Sequence, residues 1–144
     1  MDVVNLLFSF QGRIGRGQFW LAILIFFIAA LIVTVVDYVW QSFYISLAVA
    51  VIAYGPALIC VVAAGIKRLH DRNKRSWWLL VFYLVPLVAL IATNLVEDGM
   101  IQTVLSSVGV LSLIWAFIEL GCIRGTIAGN PYGPDPVAPK PAQH

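Results

Sequence analysis

Four long stretches of this chain carry no charged residue: Phe19–Val36, Tyr38–Ile66, Ser76–Val96 and Gly99–Ile118. An apolar run of about 18 residues or more can cross a hydrocarbon layer ~30 Å thick as a helix. No polar face interrupts these runs, so burial inside a soluble helical bundle would leave too little polar surface to meet water. Of the 144 residues, 61% are hydrophobic and 11% charged, about half the charged fraction of an ordinary soluble domain. The chain reads as an all-α integral membrane protein with four transmembrane helices, near 19–37, 44–66, 76–96 and 103–123.

The placement of charge sets the topology. Arg13 and Arg16 precede the first span, and Lys67, Arg68, Arg72, Lys74 and Arg75 lie between the second and third. Arg124 and Lys140 follow the fourth, and the other two links hold no Lys or Arg. Basic flanks stay in the cytoplasm during insertion, which predicts that both termini and the central loop are cytoplasmic. The opposite links carry Asp37, Glu97 and Asp98. Three regions follow: a cytoplasmic interfacial segment 1–18, a transmembrane domain 19–123 with the basic loop 67–75, and a Gly/Pro-rich cytoplasmic tail 124–144. Within the first, Val3–Phe10 is apolar but too short to cross, which fits a short helix lying in the interface. The first span starts well into the chain and no small-x-small site follows it, unlike a cleaved signal peptide.

Inside the membrane, Ser46, Ala50, Ala53, Ala57, Cys60 and Ala64 recur at alternating spacings of four and three. They form one small-residue seam that lets a neighbouring helix approach closely, at a crossing angle near +20°. Pro56 and Pro86 lie at equal distances from the central loop, about 16 Å at 1.5 Å per residue. In a hairpin of the second and third spans they would kink both helices at one depth. Simple tolerance of proline in membrane helices is the plainer reading. Glu119 is the deepest acid and needs a partner; a cytoplasmic-loop arginine or Tyr54 could supply it. Cys60 and Cys122 stand in apolar runs without a CxxC or Cys/His cluster, so they read as small buried residues and no metal site is indicated.

The first and third spans start at the basic face, so their helix N-termini point positive dipole ends there. Arg13, Arg16, Arg68, Arg72 and Arg75 surround them, a set suited to anionic lipid headgroups or another anion, with Ser76 as N-cap of the third span. No Walker motif or strand–GxGxxG–helix context is present, and a short basic loop at a bilayer surface suits lipid rather than nucleic acid. His70 and Asp71, adjacent on a helix, would diverge, and no nucleophile or metal set accompanies them. The arginines are expected to pair instead with Asp71 or Asp135, tying loop to tail through bidentate contacts.

Three motifs, "FQGRIGRGQFW" (Phe10–Trp20), "KRLHDRNKRSWW" (Lys67–Trp78) and "GNPYGPDP" (Gly129–Pro136), resemble the signatures of a bacterial inner-membrane family, domain-of-unknown-function family 805. The resemblance covers about residues 8–136. It implies a small multi-helix protein of the bacterial inner membrane and supplies no activity and no cofactor. The family usually places a small residue before the tryptophan pair, where here Ser76 runs directly into Trp77. All three motifs fall on the basic side of the topology. They are expected to assemble into one structural knot of Arg68, His70, Asp71, Asn130, Tyr132 and Asp135.

The sequence supports an accessory or scaffold protein whose basic rim binds membrane lipid, a second copy or a partner membrane protein. The alternative is an oligomeric transporter or channel for a small solute or ion, built on Pro56, Pro86, Glu119 and the hydroxyls of the fourth span. An enzyme acting through His70 and Asp71 has least support.

Overall fold

The computed structural model describes residues 9–137. Its elements are α1 (Arg16–Trp40), α2 (Phe43–Asp71), α3 (Trp78–Thr93), α4 (Gly99–Ala116) and a π-helical turn, Phe117–Cys122, continuous with α4. The all-α membrane architecture is the one expected from the apolar runs. The α1 helix, α2 and the α4–π run are each long and apolar enough to cross a bilayer. The α3 helix is shorter, 16 residues, because the chain enters it through a turn at Arg75–Trp77 and leaves it through another at Asn94. Both Trp77 and Asn94 keep right-handed helical dihedrals, so the helical path is longer than the regular element.

The largest departure from the expected boundaries is at the end of α2. This helix has 29 residues, about 43 Å at 1.5 Å per residue, and it carries Lys67, Arg68, His70 and Asp71 on regular helix rather than in a loop. The turn that follows is closed by Asn73 in the left-handed region, φ 55°, which asparagine tolerates better than most residues. Of the segment expected to lie in the interface, Val3–Phe10, only Ser9 and Phe10 fall within the described residues, and neither is helical.

Two antiparallel hairpins make up the bundle. One pairs α1 with α2 across Gln41 and Ser42; the other pairs α3 with α4. Contact between α2 and α3 is sparse, and the π-helical turn reaches across to α1 and α2. The small-residue seam of α2 is its inward face: Ala57, Cys60 and Ala64 are buried, and Ser46, Ala50 and Ala53 are half-buried. The buried apolar cluster (Ile14, Phe19, Ala22, Ala64, Leu69, Leu79, Phe82, Ala116 and Leu120) gathers at the end where both described chain ends lie. Elsewhere the helices turn large apolar side chains outward, as a hydrocarbon solvent allows.

Two expectations need correction. Pro56 and Pro86 do not meet: α2 runs unbroken through Pro56, which is exposed, while Pro86 is buried. The two prolines therefore do not share one buried face. Cys122 is exposed, unlike Cys60, because it lies on the outer side of the π-helical turn.

Helix pairing within the second hairpin relies on Gly109, where a Cβ would lie 2.9 Å from the Leu90 Cγ. Gly55 of α2 has nothing within 4 Å of that position. Gly109→Val is therefore expected to destabilise the purified protein by about 1–3 kcal/mol through overpacking, and Gly55→Val to leave its thermal unfolding nearly unchanged. Equal unfolding temperatures for the two variants would contradict this packing.

Candidate functional site

The end of the bundle that holds the basic residues is organised by one carboxylate. Asp71, on the last turn of α2, is 3% exposed. Its Oδ1 accepts from Arg13 Nε at 3.0 Å and Nη2 at 2.9 Å, and its Oδ2 pairs with Arg68 Nη1. Arg68 stands one helical turn before Asp71, so the α-helix itself presents this pair on one face. Both guanidiniums are buried, Arg13 at 5% and Arg68 at 0% exposure. Gly125 of the tail passes directly over the carboxylate, where any Cβ would overlap it.

One carboxylate cannot satisfy two guanidiniums, and backbone carbonyls take the remainder. Arg13 Nη1 donates to Ala128 O at 2.8 Å and Gly133 O at 3.1 Å, and Nη2 also donates to Thr126 O at 2.6 Å. With the Asp71 contacts, every N–H of the Arg13 fork is used. Arg68 Nε donates to Leu120 O at 2.8 Å and its Nη2 to Ile123 O. Around the π-helical turn the pattern continues. Trp20 Nε1 donates to Gly121 O at 3.2 Å, Arg16 Nη1 to Cys122 O at 3.1 Å and Arg72 Nη1 to Arg124 O at 2.8 Å. Five consecutive carbonyls, Leu120 to Arg124, thus accept from side chains of α1, α2 and the turn after α2. A helix C-terminus leaves such carbonyls without partners and carries a partial negative charge that cations relieve.

His70 holds a second layer. A carbonyl can only accept, so the contact of Nδ1 with Gly12 O at 3.3 Å makes Nδ1 the donor. Nε2 of the neutral ring then accepts from the Ser76 hydroxyl at 2.9 Å. Gly12 reaches this position at φ 88°, a region open to glycine. The Tyr132 ring stacks on the imidazole, 4.0 Å between centroids and 3° between planes. Asn130 Nδ2 donates to His70 O at 2.8 Å and to Thr126 Oγ1 at 3.0 Å, and Thr126 in turn donates N–H and hydroxyl to Asp71 O. The pair His70–Ser76 is covered by this ring and closes the turn.

Outside the knot, Glu119 Oε1 accepts from Arg72 Nε at 3.2 Å and Lys74 Nζ at 2.8 Å. Lys74 also lies over the Trp78 ring, 5.2 Å from its centroid. A cleft of about 160 Å³ opens at the start of α1, lined by Gly15, Arg16, Arg68, Asp71 and Arg124 among others. Among the described residues no group of three or more His, Cys, Asp or Glu could hold a metal ion.

This basic end is built from the three sequence motifs. The profile of the family described as "protein of unknown function (DUF805)" matches residues 7–134. The chain belongs to the DUF805 family. It is 32% identical over 147 residues to the uncharacterized protein YiiR of Escherichia coli K12, covering 94% of this chain and 90% of the relative. Identity to the inner membrane protein YhaI of the same organism is 28%, over 94% and 92% of the two chains. For the inner membrane protein YhaH it is 24%, over 89% and 87%. No solved structure matches the chain. With its apolar helices and these relatives, this DUF805 protein is a multi-pass protein of the bacterial inner membrane.

The structure divides the residues singled out in the sequence. Arg68, His70, Asp71, Asn130 and Tyr132 come together. Asp135 does not join them: its carboxylate accepts from the Val137 amide at 2.9 Å and makes no ion pair among the described residues. Of the five arginines expected to face an anion, Arg13 and Arg68 are withdrawn into the knot, because their donors are consumed by Asp71 and backbone carbonyls. Arg16 and Arg75 are exposed and Arg72 half-buried. Tyr54 is not the partner of Glu119; its ring packs against Phe26, 5.8 Å between centroids. Ser76 does not cap α3, since its hydroxyl is turned to His70. The hydroxyls of Thr103, Ser106 and Ser107 bond the carbonyls four residues back, so they do not converge with Glu119 or the prolines on a polar path. Sequence reasoning missed Thr126, Gly125 and the structural use of Arg13. The one signal for Arg13 was its place in the first motif.

Replacing Asp71 strands two buried cations. Asp71→Asn is expected to destabilise the DUF805 protein by about 3–5 kcal/mol and to expose the tail beyond Arg124 to limited proteolysis. Asp135→Asn is expected to stay within about 0.5 kcal/mol of the native protein. Thermal unfolding and protease digestion in detergent check both; similar behaviour of the two variants would contradict the central place of Asp71.

Proposed function

We propose that this DUF805 protein is a non-enzymatic scaffold of the inner membrane whose basic rim faces the cytoplasm and binds anionic lipid headgroups. The division of labour among the cations carries this reading. Arg13 and Arg68 are spent inside the protein, whereas Arg16, Arg75 and Arg124 remain exposed at the same end. Arg16 and Arg124 share the cleft at the start of α1, where the helix dipole adds positive potential. Trp77, 52% exposed beside Arg75, suits the headgroup level. Cations at such a surface are each worth about 1 kcal/mol toward an anionic leaflet. The gathering of the described Lys and Arg residues at this end supports the cytoplasmic side for the rim.

In detergent, added phosphatidylglycerol is expected to raise the unfolding temperature more than phosphatidylcholine does, and salt is expected to narrow the difference. The double variant Arg75→Gln, Arg124→Gln, which spares the contact of Arg16 with Cys122 O, should narrow the difference while folding normally. Equal stabilisation of the native protein by both lipids would refute lipid binding by the rim. Reporter fusions after residue 98 and after residue 137 should report opposite compartments; the same compartment for both would refute the sidedness.

A further inference from the structure

A guanidinium offers two edges to an oxyanion, and Arg13 spends them differently. Asp71 takes the side edge, through Nε and Nη2. The end edge, Nη1 with Nη2, meets only neutral acceptors, the carbonyls of Thr126, Ala128 and Gly133. Such an edge binds phosphate more strongly than uncharged oxygens. The charges leave room for an anion, since Arg13 and Arg68 against Asp71 have one positive charge in excess. The segment covering this edge is lightly held. None of residues 126–137 is buried, and Ile127 and Val137 are 75% and 64% exposed. Its hold is polar: the Thr126 bonds to Asp71 O, the Asn130 bond to His70 O and the Tyr132 stack on the imidazole. A segment with so little buried apolar contact opens at lower free energy than the helices do. It is also strained. Ala128 presents its carbonyl to Arg13 at φ 69°, in the left-handed region that alanine rarely adopts. Strain of this kind gathers at ligand clamps and switches.

We propose that residues 126–137 form a releasable strap over an anion site, and that a phosphate group displaces them from the end edge of Arg13. In the closed form the three carbonyls stand where phosphate oxygens sit once the strap opens. Arg13 is sealed by the strap itself, so opening uncovers the edge while Asp71 keeps the guanidinium in place. Opening also relieves Ala128. A phosphate that binds only the open form draws the protein toward it, and its apparent affinity is the intrinsic one reduced by the open fraction. The phosphate belongs either to a lipid headgroup at this rim or to a soluble anion; the chemistry at Arg13 is the same. The proposal goes beyond the exposed arginines of the rim and rests on Arg13 and the strap alone.

The test follows hydrogen exchange at the strap amides and the NMR signal of the Arg13 guanidinium, in full-length protein in phosphatidylcholine nanodiscs. The Thr126 amide bonds to Asp71 O, and those of Asn130 and Gly133 bond across the strap. Inorganic phosphate is expected to speed exchange at these three amides several-fold, to leave the helix amides unchanged and to shift the Arg13 signal. Chloride at equal ionic strength should do none of this. Nanodiscs carrying phosphatidic acid, without free phosphate, identify the source. The same changes there assign the site to a headgroup; a response to free phosphate alone assigns it to a soluble anion, and either supports the strap. Ala128→Gly, which removes the strain, should slow exchange and weaken phosphate binding several-fold. Tyr132→Ala, which removes the stack, should do the reverse. Strap amides that exchange as slowly as the helix cores, or that respond to neither source, would overturn the proposal. So would phosphate shifting other arginine signals and not that of Arg13. A strap response that survives Arg75→Gln, Arg124→Gln upholds the strap independently of the rim. Stabilisation by phosphatidylglycerol with the strap amides unmoved by any phosphate overturns the strap and leaves the rim.

Discussion

The contact between Asp71 and two buried guanidiniums is the constraint around which the rest of this protein is arranged. Moving a charge out of water costs several kcal/mol unless attraction and hydrogen bonds offset it. Asp71 cancels one of the two positive charges of Arg13 and Arg68. What remains must be met by dipoles, and the backbone supplies them: carbonyls of Thr126, Ala128 and Gly133 around Arg13, and of Leu120 and Ile123 around Arg68. The path of the tail is shaped by that demand. It must run close over Asp71 at Gly125 and then curl so that its carbonyls point inward, which Asn130 and the bridge Asn130–Gly133 secure.

This arrangement also accounts for how four apolar helices stay together. Within a bilayer, burying apolar side chains between helices brings little gain, since lipid tails are equally apolar. Each hairpin has its own close packing, at the α2 seam and at Gly109, but α2 and α3 barely touch. The hairpins are fastened at the rim. Arg16, Trp20, Arg68 and Arg72 of the first hairpin and its turn grip successive carbonyls at the end of the second. A π-helical turn suits this role: its wider winding releases carbonyls from the regular ladder and offers them to outside donors.

The architecture was legible because hydrophobic run length is a local property. So was the seam of α2, whose alternating spacing is that of a helix face. The rim was legible only in outline. Grouping the motifs by charge sidedness brought Arg68, His70, Asp71, Asn130 and Tyr132 to one end. It also placed Lys67–Asp71 in a loop, because charge in a membrane protein reads as an exit to water; the α2 helix keeps them since Arg68 and Asp71 pair one turn apart. The fates of Arg13 and Arg16 differ sharply although they are three residues apart. Nothing local distinguishes them: Asp71 apart, the acceptors that bury Arg13 lie more than a hundred residues downstream and are main-chain atoms, which leave no trace in residue identity. Ser76 looked like a helix cap for a similar reason, as its real partner, His70, sits across a turn.

Because Arg13 closes onto carbonyls more than a hundred residues downstream, assembly has a built-in order. During synthesis Arg13 and Arg68 emerge long before Thr126, Ala128 and Gly133 exist, and until then their charges must stay hydrated at the membrane surface. The first hairpin can pair early, but its rim end stays open until those carbonyls are made. The carbonyls of Leu120–Arg124 join the two hairpins first, and those of Thr126, Ala128 and Gly133 are the last stitch, closing over Arg13.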